Sequence, residues 1–276
     1  MGMRITTNVA AINTQRQLVN SQRNIQNSMA QLSSGYRINK SADDAAGLAI
    51  SENMKAQMRS IVQARRNAND GISLVQTAEG ALGEITNITT RVRELSIQAA
   101  SDTVGDRERG FINSEVNQLK GEINRIASTA RWNSTPLLDG TTATFDIQVG
   151  SYNTDDDKIT FDASLNVATL EALGLSEVDL STKEGARAAL PMIDTAADSI
   201  SGMRANIGAI QNRLLSTVDT LSITEENLAA ANSRIRDTDI AQSSSEMARN
   251  SVLLQAGTST LVQANQSTML ALKLLG

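Results

Sequence analysis

The sequence predicts a mainly α-helical fold: an elongated rod of long coiled-coil-like helices with a small β-hairpin knob and with the N- and C-terminal helices paired. Three observations lead there. Apolar residues recur at alternating four- and three-residue steps over tens of positions, which is the spacing of a helical seam. Aromatic residues make up only 2 % of the chain, so the core must be built from aliphatic side chains, which suits bundled helices better than a sphere. The two chain ends share one composition, amphipathic, rich in Asn, Gln, Ser and Thr and poor in charge, as partners would.

The elements follow in order. From Ile5 to Leu32 the positions Ile5, Val9, Ile12, Leu18, Ile25, Met29 and Leu32 keep helical spacing, and Ser33-Ser34-Gly35 stops the helix. Ser41-Ala-Asp-Asp44 is read as the next start, with the Ser41 hydroxyl as cap and Asp44 in the first turn. Leu74, Ala78, Ala81, Ile85, Ile88, Val92 and Leu95 then mark a seam in a helix that ends near Ala100. At about 1.5 Å per residue it is a rod of roughly 85 Å. Thr103-Val-Gly-Asp106 turns the chain, and Ile112, Val116, Leu119, Ile123 and Ile126 repeat the steps to near Ala130, which implies a helical hairpin.

Four of the six aromatics fall between Trp132 and Phe161, where Phe145, Ile147 and Val149 alternate, as do Ile159 and Phe161. This predicts a β-hairpin at about 140–163, a knob on the end of the rod. Ser181-Thr-Lys-Glu184 has the form of a capping box. After it Ile193, Ala196, Ile200, Met203, Ile207, Ile210, Leu214, Val218, Leu221, Leu228 and Ile235 extend a helix for some fifty residues. Asp237-Thr-Asp239 interrupts it, and Ile240 to Leu275 forms the last helix, with Met247, Leu254, Leu261 and Leu275 in register. Two domains result: a terminal-helix inner domain of residues 1–40 and 238–276, and a helical rod domain of residues 41–237.

Composition narrows the chemistry. The chain has no His and no Cys, which removes Ser-His-Asp and Cys-His nucleophilic machinery, the imidazole base and nearly all zinc sites. An enzyme is not expected, and no catalytic, cofactor or metal residues are assigned. Asp155-Asp156-Asp157 fails the calcium-loop pattern, since Thr160 stands where Gly is needed and Asn166 where the bidentate Glu would be. The net charge of −5 is concentrated: residues 133–185 set two lysines against ten acids, leaving the rest of the chain at +3. That argues against nucleic-acid binding and suggests that the acidic middle faces solvent. The first residues do not form a signal-peptide apolar run, and no stretch reaches the roughly 20 apolar residues of a membrane span. The start also fits the Met-Gly-x-x-x-Ser/Thr myristoylation pattern, although the residues after it read as an amphipathic helix.

The matched ends carry the functional argument. Two lone helices with narrow apolar stripes bury little in a monomer, and unpacked helices are marginal, so both should be weakly ordered until something covers them. Another copy is the natural partner. Isologous contacts would close a dimer, whereas head-to-tail contacts that do not close give an open helical filament.

Particular motifs then point to a family. Met3-Arg-Ile-Thr-Thr-Asn-Val-Ala-Ala-Ile-Asn13, Leu32-Ser-Ser-Gly-Tyr-Arg-Ile-Asn39, Ser41-Ala-Asp-Asp-Ala-Ala-Gly-Leu-Ala-Ile50 and Asn69-Asp-Gly-Ile-Ser-Leu-Val-Gln-Thr-Ala-Glu-Gly80 resemble the amino-terminal region of bacterial flagellins. Arg236-Asp-Thr-Asp-Ile-Ala241, with Gln255-Ala256 through Gln263-Ala-Asn-Gln266, resembles the flagellin carboxyl-terminal helix. The resemblance implies a structural subunit that self-assembles into the extracellular flagellar filament for motility, in a short form lacking large variable outer domains. Filament packing would use Ile5, Val9, Ile12, Leu18, Ile25, Leu32, Met247, Leu254, Leu261 and Leu275. The implied partners are further copies, an export chaperone at the C-terminal helix, and hook-associated and cap proteins, with type III export and no cleaved signal peptide. No nucleic acid, membrane or cofactor is implied. A flagellin-like hook–filament junction protein is the alternative. Arg91-Val-Arg-Glu-Leu-Ser-Ile-Gln98 also resembles the flagellin motif recognised by the vertebrate innate receptor TLR5, with Arg91, Leu95 and Glu115 on matching positions and Thr90 where the motif often has Gln.

Overall fold

A computed structural model describes residues 7–142 and 144–273. The chain divides into two compact units, one of Met1–Ala56 with Asn227–Gly276, the other of Gln57–Glu226. Ile5 and Leu275 lie outside the described residues.

In the first unit, α1 (Val9–Ser34) starts where the Asn8 side chain accepts from the Ala11 amide at 3.0 Å. The helix therefore begins four residues later than the apolar spacing predicted, because the local cap decides the start. It ends at Gly35, whose φ of 75° is the left-handed conformation a side chain would strain. Its partner is α5 (Ile240–Lys273), which packs antiparallel to it. The start of α2 (Ala45–Ala99) is capped by Asp44, whose carboxylate accepts from the Gly47 amide at 2.8 Å. Ser41 does not fill that role. The adjacent Asp43 carboxylate instead takes the Asn39 and Lys40 amides at 3.1 and 2.9 Å, and so shapes the loop before the helix.

The second unit holds the core. The greater part of α2 packs with α3 (Asp106–Thr129) and α4 (Lys183–Arg236), burying Leu74, Ala78, Ile85, Val92 and Leu95 from the first, Ile112, Val116 and Ile123 from the second, and Ile193, Ala196, Ile200, Ile207 and Leu214 from the third. At the turn between α2 and α3, Arg109 is buried, with 6 % of its surface exposed. Its guanidinium donates to the Ala99 and Ser101 carbonyls, each at 2.9 Å, and to Asp106 at 2.7 Å. One cation thus satisfies carbonyls that the end of a helix leaves without intrahelical partners. The cap of α4 is Thr182, whose hydroxyl accepts from the Gly185 amide at 3.0 Å; Ser181 turns back to Asp179.

Two small antiparallel sheets complete the unit. β1 (Arg131–Trp132) and β2 (Thr135–Pro136) flank Asn133 and Ser134, both at positive φ, and β3 (Thr144–Gln148) pairs with β4 (Lys158–Asp162). The β3–β4 hairpin was expected on the end of a rod. It lies instead along the flank of α2, where Asn67 donates to the Gln148 carbonyl at 3.0 Å and Ile147 seats on Gly71. The acidic middle is likewise only half solvent-facing: its carboxylates are mostly exposed, but Leu137, Leu138, Phe161, Ala168, Leu175 and Leu180 are fully buried in the core.

Candidate assembly and recognition surfaces

The α1–α5 pair is the first surface. Asn8 donates to the Ala264 carbonyl at 2.9 Å at one end, and Tyr36 bridges Asp237 at the other. Between them Leu18 presses on Gly257, where a Cβ would lie 2.7 Å from its terminal methyl, so this glycine sets the closeness of the two helices. Of the residues expected to pack a filament, Leu18, Ile25, Leu32, Met247, Leu254 and Leu261 are half-buried, while Val9 and Ile12 stay 64 % and 50 % exposed. A second set, absent from the sequence expectation, is also exposed: Val19, Val252, Leu253 and Val262. These residues sit off the main apolar stripe, which is why spacing missed them. Alternation of apolar neighbours, as in Leu18-Val19 and Val252-Leu253-Leu254, was the available signal.

The α1–α2 loop and the α4–α5 joint are tied to each other. Arg37 donates its amide to the Arg236 carbonyl at 2.7 Å and its guanidinium to the Ile235 carbonyl at 2.6 Å, and the Thr238 amide donates to Gly35 at 3.0 Å. Arg236 crosses over the Tyr36 ring, 4.8 Å from its centroid, and pairs with Glu52. The backbone thus closes a short antiparallel bridge where the two pairs of helices are interrupted, and a cation clamped between a ring and a carboxylate holds it. Sequence reasoning saw both motifs but not that they meet.

The third surface is on the α2–α3 hairpin. Arg91 donates to Glu115 from two nitrogens, at 3.2 and 3.0 Å, and to Glu94 at 3.1 Å. Its guanidinium pKa is raised, chiefly by the hydrogen bond to Glu115 and next by that to Glu94. Both partners of the cross-helix pair are about half exposed. Leu95, expected beside them as a contact, is only 2 % exposed. One turn beyond Arg91, it points into the seam, so its part is to hold α2 in place rather than to meet a partner.

Among the described residues no group of three or more metal-ligating side chains is brought together, and no helix is long and apolar enough to cross a membrane.

Comparison with known proteins finds relatives along most of the chain. A family model described as the bacterial flagellin N-terminal helical region matches residues 5–143, and one described as the bacterial flagellin C-terminal helical region matches residues 190–275. A flagellin of Halalkalibacterium halodurans is 42 % identical over 275 residues, spanning 99 % of this chain and 100 % of the relative. The flagellar filament core protein flaB2 of Brachyspira hyodysenteriae is 40 % identical over 288 residues, with 99 % and 100 % covered. The crystal structure of Bacillus cereus flagellin superposes with a TM-score of 0.51 at 30 % identity, covering 60 % of this chain and 94 % of that one.

Proposed function

Because the chain belongs to the bacterial flagellin family, and is thereby a structural subunit of the flagellar filament, we propose that it polymerises through the outward faces of α1 and α5. The observation that carries this reading is the unit they form: two long paired helices whose large apolar residues Val9, Ile12, Val19, Val252, Leu253 and Val262 remain about half exposed or more. So much apolar surface on one pair of helices is expected where further copies cover it. Residues 1–40 with 238–276 then act as the inner, assembling domain, and residues 41–237 as the outer helical domain.

The test is seeded growth. Purified full-length protein should extend filament seeds, and versions lacking residues 1–35 or 240–276 should stay monomeric. Robust elongation by both truncated forms would refute the assignment.

The same reading supplies the remaining partners. An export chaperone covers α5 until secretion, export follows the flagellar type III route, and hook-associated and cap proteins bound the filament at its ends. Arg91 and Glu115 form a recognition patch for the innate receptor TLR5, supported by their exposure and by the hydrogen bonds that fix the guanidinium. Arg91→Ala or Glu115→Ala should weaken signalling in receptor-reporter cells by roughly tenfold, as expected when a central charged contact is truncated. Unchanged signalling by both variants would remove this assignment.

A further inference from the structure

In the first unit α1 carries two stripes at heptad spacing, on opposite faces. Leu18, Ile25 and Leu32 belong to the half-buried seam against α5. Val9, Ile12, Arg16, Val19, Arg23 and Gln26 recur at the same alternating three- and four-residue steps, and all are exposed. Each stands two residues before a covered position, which at about 3.6 residues per turn is the far side of the helix. The last helix repeats the pattern. Met247, Leu254 and Leu261 are half-buried, while Ala248, Val252, Gln255, Ser259 and Val262 form a second, exposed stripe. Each helix thus has one seam that is covered and another of the same period with nothing of its own chain against it.

Charge is placed unequally on these outer faces. Arg16 and Arg23 occupy stripe positions of α1, a helix without a carboxylate, and α5 has one carboxylate, Glu246. No ion pair among the described residues includes any of the three. Glu246 accepts from the Gln242 side chain at 3.2 Å, and Leu253, two turns on and on the same face, is 49 % exposed. Arg23 also lines an open groove of about 520 Å³ between α1 and α5, where Leu18, Val19 and Leu254 are the apolar lining and Arg23 is the one charged group.

The lining selects the occupant. A free anion would meet the guanidinium but leave the apolar residues uncovered, and an uncharged apolar segment would bury the guanidinium without answering it. An amphipathic helix that sets a carboxylate beside exposed aliphatic side chains satisfies both. Within this chain α5 is that helix, by Glu246, Val252 and Leu253, and its own groove-facing residue is Leu254, so its outer face is available only to another copy. Resting on the assembly reading above, we propose that the outer stripe of α1 docks the outer face of α5 from a neighbouring copy, and that Arg23 pairs there with the neighbour's Glu246. A lone ion pair on an otherwise apolar seam fixes its register, because any slip leaves both charges unanswered.

The test is a charge exchange read by seeded growth of the full-length protein. Arg23→Glu and Glu246→Arg should each slow elongation by about tenfold or more, since each sets like charges against one another in the contact. The chain carrying both changes should recover to within about threefold of the unaltered one. Its recovery separates lost pairing from lost folding, because two changes that each damaged the helices would not restore growth together. Arg16→Glu combined with Glu246→Arg should stay slow, Arg16 being two turns away on the same stripe. Undiminished growth of Arg23→Glu, no recovery in the double variant, or equal recovery when Arg16 replaces Arg23 overturns the pairing while leaving assembly through these helices intact. Failure of the unaltered chain to extend seeds sinks the assembly reading itself, and the pairing with it.

Discussion

Replacing Gly71 by alanine should separate helix propensity from packing at a close contact of the hairpin with α2. In an open helical position, Gly→Ala gains about 1 kcal/mol. Gly80, nine residues further along the same helix, is such a position, with nothing within 4 Å of an added Cβ. At Gly71 the same Cβ would lie 2.6 Å from Ile147 Cδ1, with Cγ2 and Cγ1 at 3.3 and 3.4 Å. The methyl alone could rotate away, but the other two carbons also crowd the position. Ile147 cannot retreat freely, because it is 8 % exposed, paired in register with Ile159, and followed by Gln148, whose carbonyl accepts from Asn67. Overpacking of this kind costs about 1–3 kcal/mol. Gly80→Ala should therefore stabilise the second unit by about 1 kcal/mol, and Gly71→Ala should fall below it by about 1–3 kcal/mol. Ile147→Val, which removes the offending methyl, should recover much of that gap in the Gly71→Ala background. Urea unfolding followed by Trp132 fluorescence reads this unit alone, since β1 belongs to it. If Gly71→Ala stabilises as much as Gly80→Ala, the close seating of the hairpin on α2 is wrong.

Two other perturbations test the same unit. Arg109→Met keeps the aliphatic stem but removes the hydrogen bonds to Ala99, Ser101 and Asp106. It should cost about 2–3 kcal/mol in the same unfolding assay and speed hydrogen exchange around the α2–α3 turn; a loss below about 0.5 kcal/mol, the range of an ordinary surface change, would contradict the capping role. The Asp179 carboxyl is held below its usual pKa, first by the Ser181 amide and then by the Ser181 hydroxyl and Asn113, against some desolvation. Because the folded value is depressed, its stabilisation is present above the unfolded pKa of about 3.9 and is lost as pH falls through the folded value. Leu180, whose amide donates to Asn113 at 3.1 Å, should lose exchange protection as the medium is acidified below that range, and Asp179→Asn should flatten the dependence. A profile identical in the variant would rule out Asp179 as its source.

What was legible in the sequence was what repeats. Leu74, Ala78, Ile85, Val92 and Leu95 announced one seam, and Ile193, Ala196, Ile200 and Ile207 another; all are buried. A long period averages out local accidents, so the three long core helices are legible in position as well as in type. The two-residue strands β1 and β2 are too short to have a period, and their turn rests on positive φ at Asn133 and Ser134, the latter a residue with no strong preference for it. The caps failed differently. Ser41 and Asp44, or Ser181 and Thr182, are all competent acceptors, and the choice depends on where the backbone enters the helix, which the loop contacts of Asp43 and Asp179 settle. The loop after β4 was misjudged because its acids dominated the reading, while Leu173, Leu175, Val178 and Leu180 lay between them unperiodic but buried.

The two units spend their apolar residues in opposite ways, and this bears on assembly. The core cluster of buried residues belongs wholly to the second unit, running from Ala68 to Leu214. Among the described residues of the first unit the buried set is Ser28, Ile38, Gly47, Ser51 and Ser243, with one large apolar side chain in it. Small residues there let helices approach closely but contribute little apolar burial. Helices held mainly by a half-buried seam owe part of their order to whatever binds them, and a ligand that binds only the ordered form stabilises it in proportion to the logarithm of its concentration. When the ligand is another copy, ordering of α1 and α5 and growth of the filament become one equilibrium. Dilution should then loosen the first unit while leaving Trp132 in its native environment, and a terminal pair that keeps full hydrogen-exchange protection in a dilute monomer would break that coupling.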